Sequence, residues 1–157
     1  MIPKIGITEA HLEKSISLLS VILSDEMTLY VKTRKFHWNV TGESFMELHK
    51  LFQNQYTELE EIIDEVAERI NKLGGRTIGT MTEFMKLSRI KETPDHYPTQ
   101  GAMLSELNAD HETLIAQLRM DIDISSEENH DAGTADMLTK ILQQHETIAW
   151  IVRRYLS

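Results

Sequence analysis

The residues best able to do chemistry in this chain are histidines and carboxylates. His37 and His49 lie on either side of Gly42, and Glu60, Asp64 and Glu68 follow at four-residue steps. The chain contains no cysteine, so disulfides and thiolate metal sites are excluded and any metal must be held by imidazole and carboxylate. On a helix, residues four apart share a face, and like charges there repel by roughly 0.2–0.5 kcal/mol per pair unless a cation sits among them. Lys72 continues the row and offsets part of that repulsion, while Asn54, Glu58, Glu61 and Glu65 widen the acidic surface beside it. An acidic stripe taken alone is more often a solvated helix face. A lone histidine beside apolar residues is more often packed or superficial than a ligand.

The elements that must position these residues are helices. Leu12, Ile16, Leu19, Leu23, Met27 and Tyr30 recur at three- and four-residue steps, with Thr8 as N-cap and a break at Gly42. A second helix is predicted from Ser44, with Phe45, Leu48, Phe52, Leu59, Ile63, Val66, Ile70 and Leu73 toward the core, closed by Gly74 and Gly75. The stretch from Gly74 to Pro98 is a long connection with a short amphipathic piece around Met81 to Ile90. A third helix carries Met103, Leu104, Leu107, Leu114, Ile115, Leu118 and Ile122, and Ser125 to Gly133 reads as a polar turn. The last helix opens at Thr134 and carries Leu138, Ile141, Leu142, Ile148, Trp150, Ile151 and Leu156. Two helical hairpins joined by one long crossover are the wiring of an all-α, ferritin-like four-helix bundle, here with a short extra helix between helices two and three. At 157 residues, the whole chain is expected to be one such domain.

Helix geometry constrains the candidate ligands. His49 and Asp64 are 15 residues apart, which on an unbroken helix is roughly 22 Å at 1.5 Å per residue. A metal ligated at about 2 Å cannot touch both within one chain. If two copies of that helix pack antiparallel about a two-fold axis near Tyr56, His49 of one copy comes level with Asp64 of the other. These residues therefore form either no common site or one shared across a symmetric dimer. A di-iron centre inside one chain uses two Glu-x-x-His motifs. The one such spacing here, Glu127 to His130, falls in the polar turn, which argues against a centre of that kind.

The net charge of −9 suits cations and repels duplex DNA. No apolar run approaches a membrane span, and the N-terminal residues lack the pattern of a secretory signal, so a cytoplasmic location is expected.

The segment Lys35-Phe-His-Trp-Asn-Val-Thr-Gly, followed by Phe45, Leu48-His49, Asp64, Ala67-Glu68-Arg69-Ile70 and Leu73-Gly74-Gly75, resembles the signature of the Dps family, or mini-ferritins. The stretch Thr134-Ala-Asp-Met-Leu and Trp150 extend the resemblance over nearly the whole chain. It implies a dodecameric shell with iron-oxidising sites at two-fold interfaces, where one subunit supplies His37 and His49 and the other Asp64 and Glu68. It further implies oxidation of Fe(II), preferably by hydrogen peroxide rather than oxygen, and storage of ferric mineral in the cavity, protecting the cell against oxidative damage. The centre would be di-iron or mono-iron, and zinc accepts the same donors. Trp38 would lie beside the site, there to intercept oxidising equivalents or to bury surface between subunits. Glu58, Glu61 and Glu65 would face the cavity and nucleate mineral, and Asp136 with Asp131 would line an acidic three-fold pore. Asp136 also fits the start of a helix, where an acid favours the dipole.

Two departures from the family pattern matter. Many members carry an acid one turn after the second histidine, where this chain has Gln53, which weakens the second iron position. DNA-coating members carry a lysine-rich tail, whereas only Lys4 precedes the first helix here, and twelve chains would carry 12 × −9 = −108. Weak or absent DNA binding is expected. The competing readings are a DNA-coating nucleoid protein and a catalytically inactive shell or scaffold.

Overall fold

The computed structural model describes residues 2–157, and among them the regular structure is entirely helical. Helix α1 spans Glu9–Asn39, α2 Phe45–Lys72, α3 Met81–Leu87, α4 Gln100–Asp123 and α5 Ala132–Leu156. Helices α1 and α2 form one antiparallel hairpin and α4 and α5 the other, and the two pack into a four-helix bundle with α3 lying against α1. Their apolar rows meet in a single core, contributed by Leu19, Ile22 and Leu29 of α1, Phe52, Leu59 and Val66 of α2, Leu107 and Leu114 of α4, and Leu138 and Ile141 of α5.

The helix ends follow local chemistry. The Thr8 hydroxyl accepts from the backbone N–H of His11 and starts α1. Gly74, at φ +88°, takes the left-handed conformation that closes α2. Thr80 and Glu83 satisfy each other's backbone donors in a capping box that starts α3.

Two boundaries differ from expectation. The last helix begins at Ala132, because the Asp131 carboxylate, ahead of the expected opening residue Thr134, accepts from the Thr134 N–H and takes the N-cap position. The predicted polar turn is in part a π-helical turn over Ile124–Glu128 that prolongs α4, with Ser125, Asn129 and Asp131 buried. Polar residues read as surface, but here they close hydrogen bonds at the bundle end: Ser125 Oγ donates to the Asp121 carbonyl at 2.7 Å and the Asp131 N–H to the Ser125 carbonyl at 2.9 Å. Phe45, placed on the core face of the second helix, is exposed, as is Trp150.

The crossover after α3 is anchored by charge. Asp25, fully buried on α1, receives the Arg89 backbone N–H at 2.5 Å and its Nε at 2.8 Å, and the same guanidinium reaches Asp121 of α4 at 2.8 Å. Burial pushes the Asp25 carboxyl above its ordinary range, against the pull of Arg89. Removing one partner of such a pair leaves an uncompensated charge in the core. Arg89→Met is therefore expected to destabilise the protein by about 3 kcal/mol, and Arg89→Met with Asp25→Asn to recover part of that loss. Chemical denaturation of both variants checks this, and a double variant no more stable than the single one would remove the ion pair as the cause.

Candidate metal centre

The two histidines singled out by the sequence are brought together by the α1–α2 turn. Their rings stack at 3.8 Å between centroids with 21° between planes. His37 Nδ1 lies 2.7 Å from the His49 carbonyl oxygen, and His49 Nδ1 lies 2.9 Å from the His37 carbonyl oxygen. A carbonyl can only accept, so each Nδ1 carries the proton and donates. With Nδ1 so engaged, Nε2 is the nitrogen left to each ring for binding a metal through its lone pair. Among the described residues neither Nε2 has a hydrogen-bond partner. A metal-binding histidine is usually held by a hydrogen bond from its other nitrogen, and here the two rings hold each other through the backbone.

The carboxylates lie elsewhere. Helix α2 is continuous from Phe45 to Lys72, so Asp64 and Glu68 stand several turns beyond His49. Both are exposed, and Glu68 accepts from Lys72 at 3.1 Å, the partner its row suggested. Accordingly, among the described residues no three His, Asp or Glu side chains converge on one point within the chain.

Around the histidines the surface is aromatic. Tyr56 meets His37 edge to face at 5.1 Å. Arg34 lies over the rings of Tyr56, Trp38 and Tyr30 at 4.5, 5.2 and 5.5 Å, and donates to the Tyr30 hydroxyl at 2.7 Å. Trp38 is 63% exposed and Met46 72%, beside the exposed Phe45. Large apolar side chains left uncovered next to two prepared imidazoles are what a partner surface requires.

A ferritin-like domain matches residues 16–157. The chain is 43% identical to an uncharacterized low temperature-induced protein of a Nostoc species over 98% of its own length and 86% of that protein's. It is 34% identical to DNA protection during starvation protein 2 of Bacillus anthracis, covering 90% of this chain and 96% of that one. The crystal structure of the Dps protein of Vibrio cholerae, described as a ferritin-like diiron-carboxylate protein, superposes with a TM-score of 0.92 at 29% identity, covering 100% of this chain and 98% of that one. The chain belongs to the Dps family.

In this Dps chain the remaining expected residues are distributed unevenly. Gln53 lies one turn beyond His49, and the backbone carbonyl of Gln53 accepts from Thr57. Glu65 is paired with Lys140 of α5 at 3.1 Å, Glu61 is exposed, and Glu58 is half-buried with its carboxyl pushed up mainly by burial. Asp136 is exposed on α5. Asp131 is 1% exposed and engaged by Thr134 and, at 2.8 Å, by Arg69.

One polar group escaped the sequence reading. Glu26, His111 and His145 are each fully buried and hydrogen-bonded in a chain across the bundle. A signal for them existed. Glu26 falls four after Ile22 and three before Leu29, His111 four after Leu107 and three before Leu114, and His145 four after Ile141 and three before Ile148. All three occupy core positions of their helices.

Burial alone would raise the Asp131 carboxyl, but the Thr134 hydroxyl, the Thr134 N–H and Arg69 outweigh it and hold the group below its ordinary value. A depressed carboxyl contributes stability that is complete above its unfolded value and lost as pH falls through the folded one. Asn caps a helix as well as Asp does, so Asp131→Asn isolates the charge. The thermal stability advantage of the natural chain over Asp131→Asn is expected to be full at neutral pH and to shrink below about pH 4. An advantage unchanged at pH 3 would mean the charge contributes nothing.

Proposed function

We propose that the protein oxidises Fe(II) at sites shared between two copies of the chain and stores the ferric product inside a closed shell, twelve chains being the number the Dps resemblance implies. The observation that supports this reading is the reciprocal His37–His49 hydrogen bonding, which leaves both Nε2 atoms without a partner where, among the described residues, no carboxylates of the same chain complete a metal-binding group. An antiparallel two-fold pairing of α2 about Tyr56 brings Asp64 and Glu68 of a second copy level with them, and generates two equivalent sites. Imidazole and carboxylate donors with open positions suit Fe(II), which here is substrate rather than resident cofactor, and zinc would compete for the same donors. Gln53 supplies a neutral amide where a second anion would strengthen a second position, so one iron of a pair is held more weakly.

With peroxide as oxidant, two Fe(II) each give one electron, the O–O bond breaks, and two protons from solvent complete two waters. Oxygen serves the same reaction with four Fe(II) per molecule. The protein's own residues bind and orient the metal: the backbone carbonyls hold both imidazoles through Nδ1 and leave Nε2 to face the metal, and the two partner carboxylates balance the incoming charge. Trp38 and Tyr56, with Arg34 between them, are oxidisable rings beside the site. Consumption of Fe(II) and peroxide together limits radical chemistry, which is a protective role in a cytoplasmic setting. Glu58 and Glu61 serve mineral nucleation and Asp136 an acidic pore. Glu65 and Asp131 are less available for such roles, being tied to Lys140 and Arg69.

The test is stopped-flow Fe(II) oxidation with peroxide by the natural chain, His49→Ala and Asp64→Ala. Each variant is expected to lose fast oxidation. When the two are unfolded, mixed in equal amounts and reassembled, half of the dimers pair unlike chains and each such dimer keeps one intact site, so about a quarter of the activity returns. A natural chain no faster than buffer would leave an inactive shell, and a mixture no better than its parents would place the site within one chain.

A second outcome concerns DNA. With −9 per chain, no retardation of duplex DNA is expected at physiological salt. Retardation persisting there would make nucleoid coating the leading function.

A further inference from the structure

The interior of the bundle holds a polar group that the interface chemistry does not use. His145 of α5 stands between Glu26 of α1 and His111 of α4, with its Nε2 2.8 Å from Glu26 Oε1 and its Nδ1 2.8 Å from His111 Nδ1. All three side chains are 0% exposed. Glu26 Oε2 and His111 Nε2 are buried without a hydrogen-bond partner. Leucine or valine at these core positions would avoid the cost of burying polar atoms that are not fully paired.

The contact between the two Nδ1 atoms limits how many protons the pair holds. One nitrogen must donate and the other accept, so a single proton lies between the rings. When the pair takes up one more proton, His145 carries two N–H groups, one toward the Glu26 carboxylate that balances its charge and one toward His111. A second added proton makes both rings imidazolium. It sets two N–H groups against each other across 2.8 Å and puts on His111 a charge that no carboxylate touches.

The titratable groups that face the pair from the other helices are Glu26 on α1 and Glu58 on α2. Glu58 is half-buried, and its carboxyl is raised by burial and drawn back by His145. Among the described residues His145 is the one hydrogen-bond partner of the His111 ring. Burial, and then repulsion by His145, hold that ring well below the ordinary histidine value.

We propose that the buried His111–His145 contact is an acid-operated latch. Closed, it ties α4 to α5, while the Glu26–His145 bond ties that hairpin to α1. Protonation of both rings forces it open in mild acid and lets the bundle, and any shell built from it, come apart. The unfolded chain takes up a proton that folded His111 refuses. The contribution to stability is therefore full above about pH 6.5 and is lost as pH falls beneath it. Buried histidines that change charge are a usual basis of such switches. The latch does not depend on the iron reading, because none of its three residues lies at the interface centre.

The test is acid titration of the assembled full-length protein from about pH 7 to about pH 4, with particle size followed by light scattering and helix content by circular dichroism. The natural chain is expected to come apart below about pH 6, and His111→Gln and His111→Leu to hold together to about one pH unit lower. Both variants keep Asp25, Glu58 and Asp131, so a difference from the natural chain belongs to the ring. Variants that open at the natural pH would overturn the proposal, as would a natural chain that stays closed down to about pH 4, where carboxylates begin to fail. Hydrogen exchange on the natural chain, corrected for the intrinsic effect of pH, gives a second test that needs no variant. On acidification, protection is expected to fall first along the α4–α5 seam around His111 and His145. Loss that begins elsewhere, or that is uniform over the bundle, would equally overturn the latch.

Discussion

Between His49 and Asp64 the backbone of α2 runs without a break, and a helix cannot fold back on itself to bring one end of its surface to the other. Much of the functional reading depends on that stiffness. It separates imidazoles from carboxylates within the chain and makes any site joining them a property of two chains. The α1–α2 turn then does locally what the helix cannot do over distance. It stacks His37 on His49 and lets each ring donate to the other's carbonyl. Two imidazoles are thereby held together within one chain, each donating from Nδ1, with Trp38, Phe45 and Met46 exposed nearby.

The same bundle shows two ways of placing charge in a core. Asp25 and Arg89 meet with strong geometry, reach a second acid at Asp121, and pin the crossover to both hairpins. Their role ends with structure, because the partners largely satisfy one another. Glu26, His145 and His111 instead form a chain with unpaired atoms at both ends. A fold that tolerates that arrangement at four-helix depth either bears its cost or has a ligand for it. The distinction lies in hydrogen-bond completeness rather than in burial, which is total for Asp25 and Glu26 alike.

Much of the fold was legible because helices advertise themselves by period. The four long helices, the short one at Met81–Leu87, the Thr8 cap and the Gly74 closure all follow from local rules acting within a few residues. The end of the bundle was less legible. Ser125, Asn129 and Asp131 look like a surface turn by composition, yet packing buries them around a π-helical turn and an N-cap. The α2 row from Glu60 to Lys72 was readable as one helix face, and its Glu68–Lys72 pair formed as spacing required.

By itself the sequence determined the chemistry available: no thiolates, two histidines around one turn, and carboxylates too far along a helix to join them in one chain. Local periodicity determined the helices as well, since the free energy of a turn or cap is settled by neighbours. Tertiary structure decided which polar residues lose their water. Glu26 and His145 are 119 residues apart and His111 and His145 34, and nothing local tells that they meet. Only the packing of α1 against α4 and α5 brings them into hydrogen-bond contact, and only there does the count of satisfied and unsatisfied atoms acquire meaning. The tautomers of His37 and His49 were decided the same way, by carbonyl oxygens that the turn delivers to each ring.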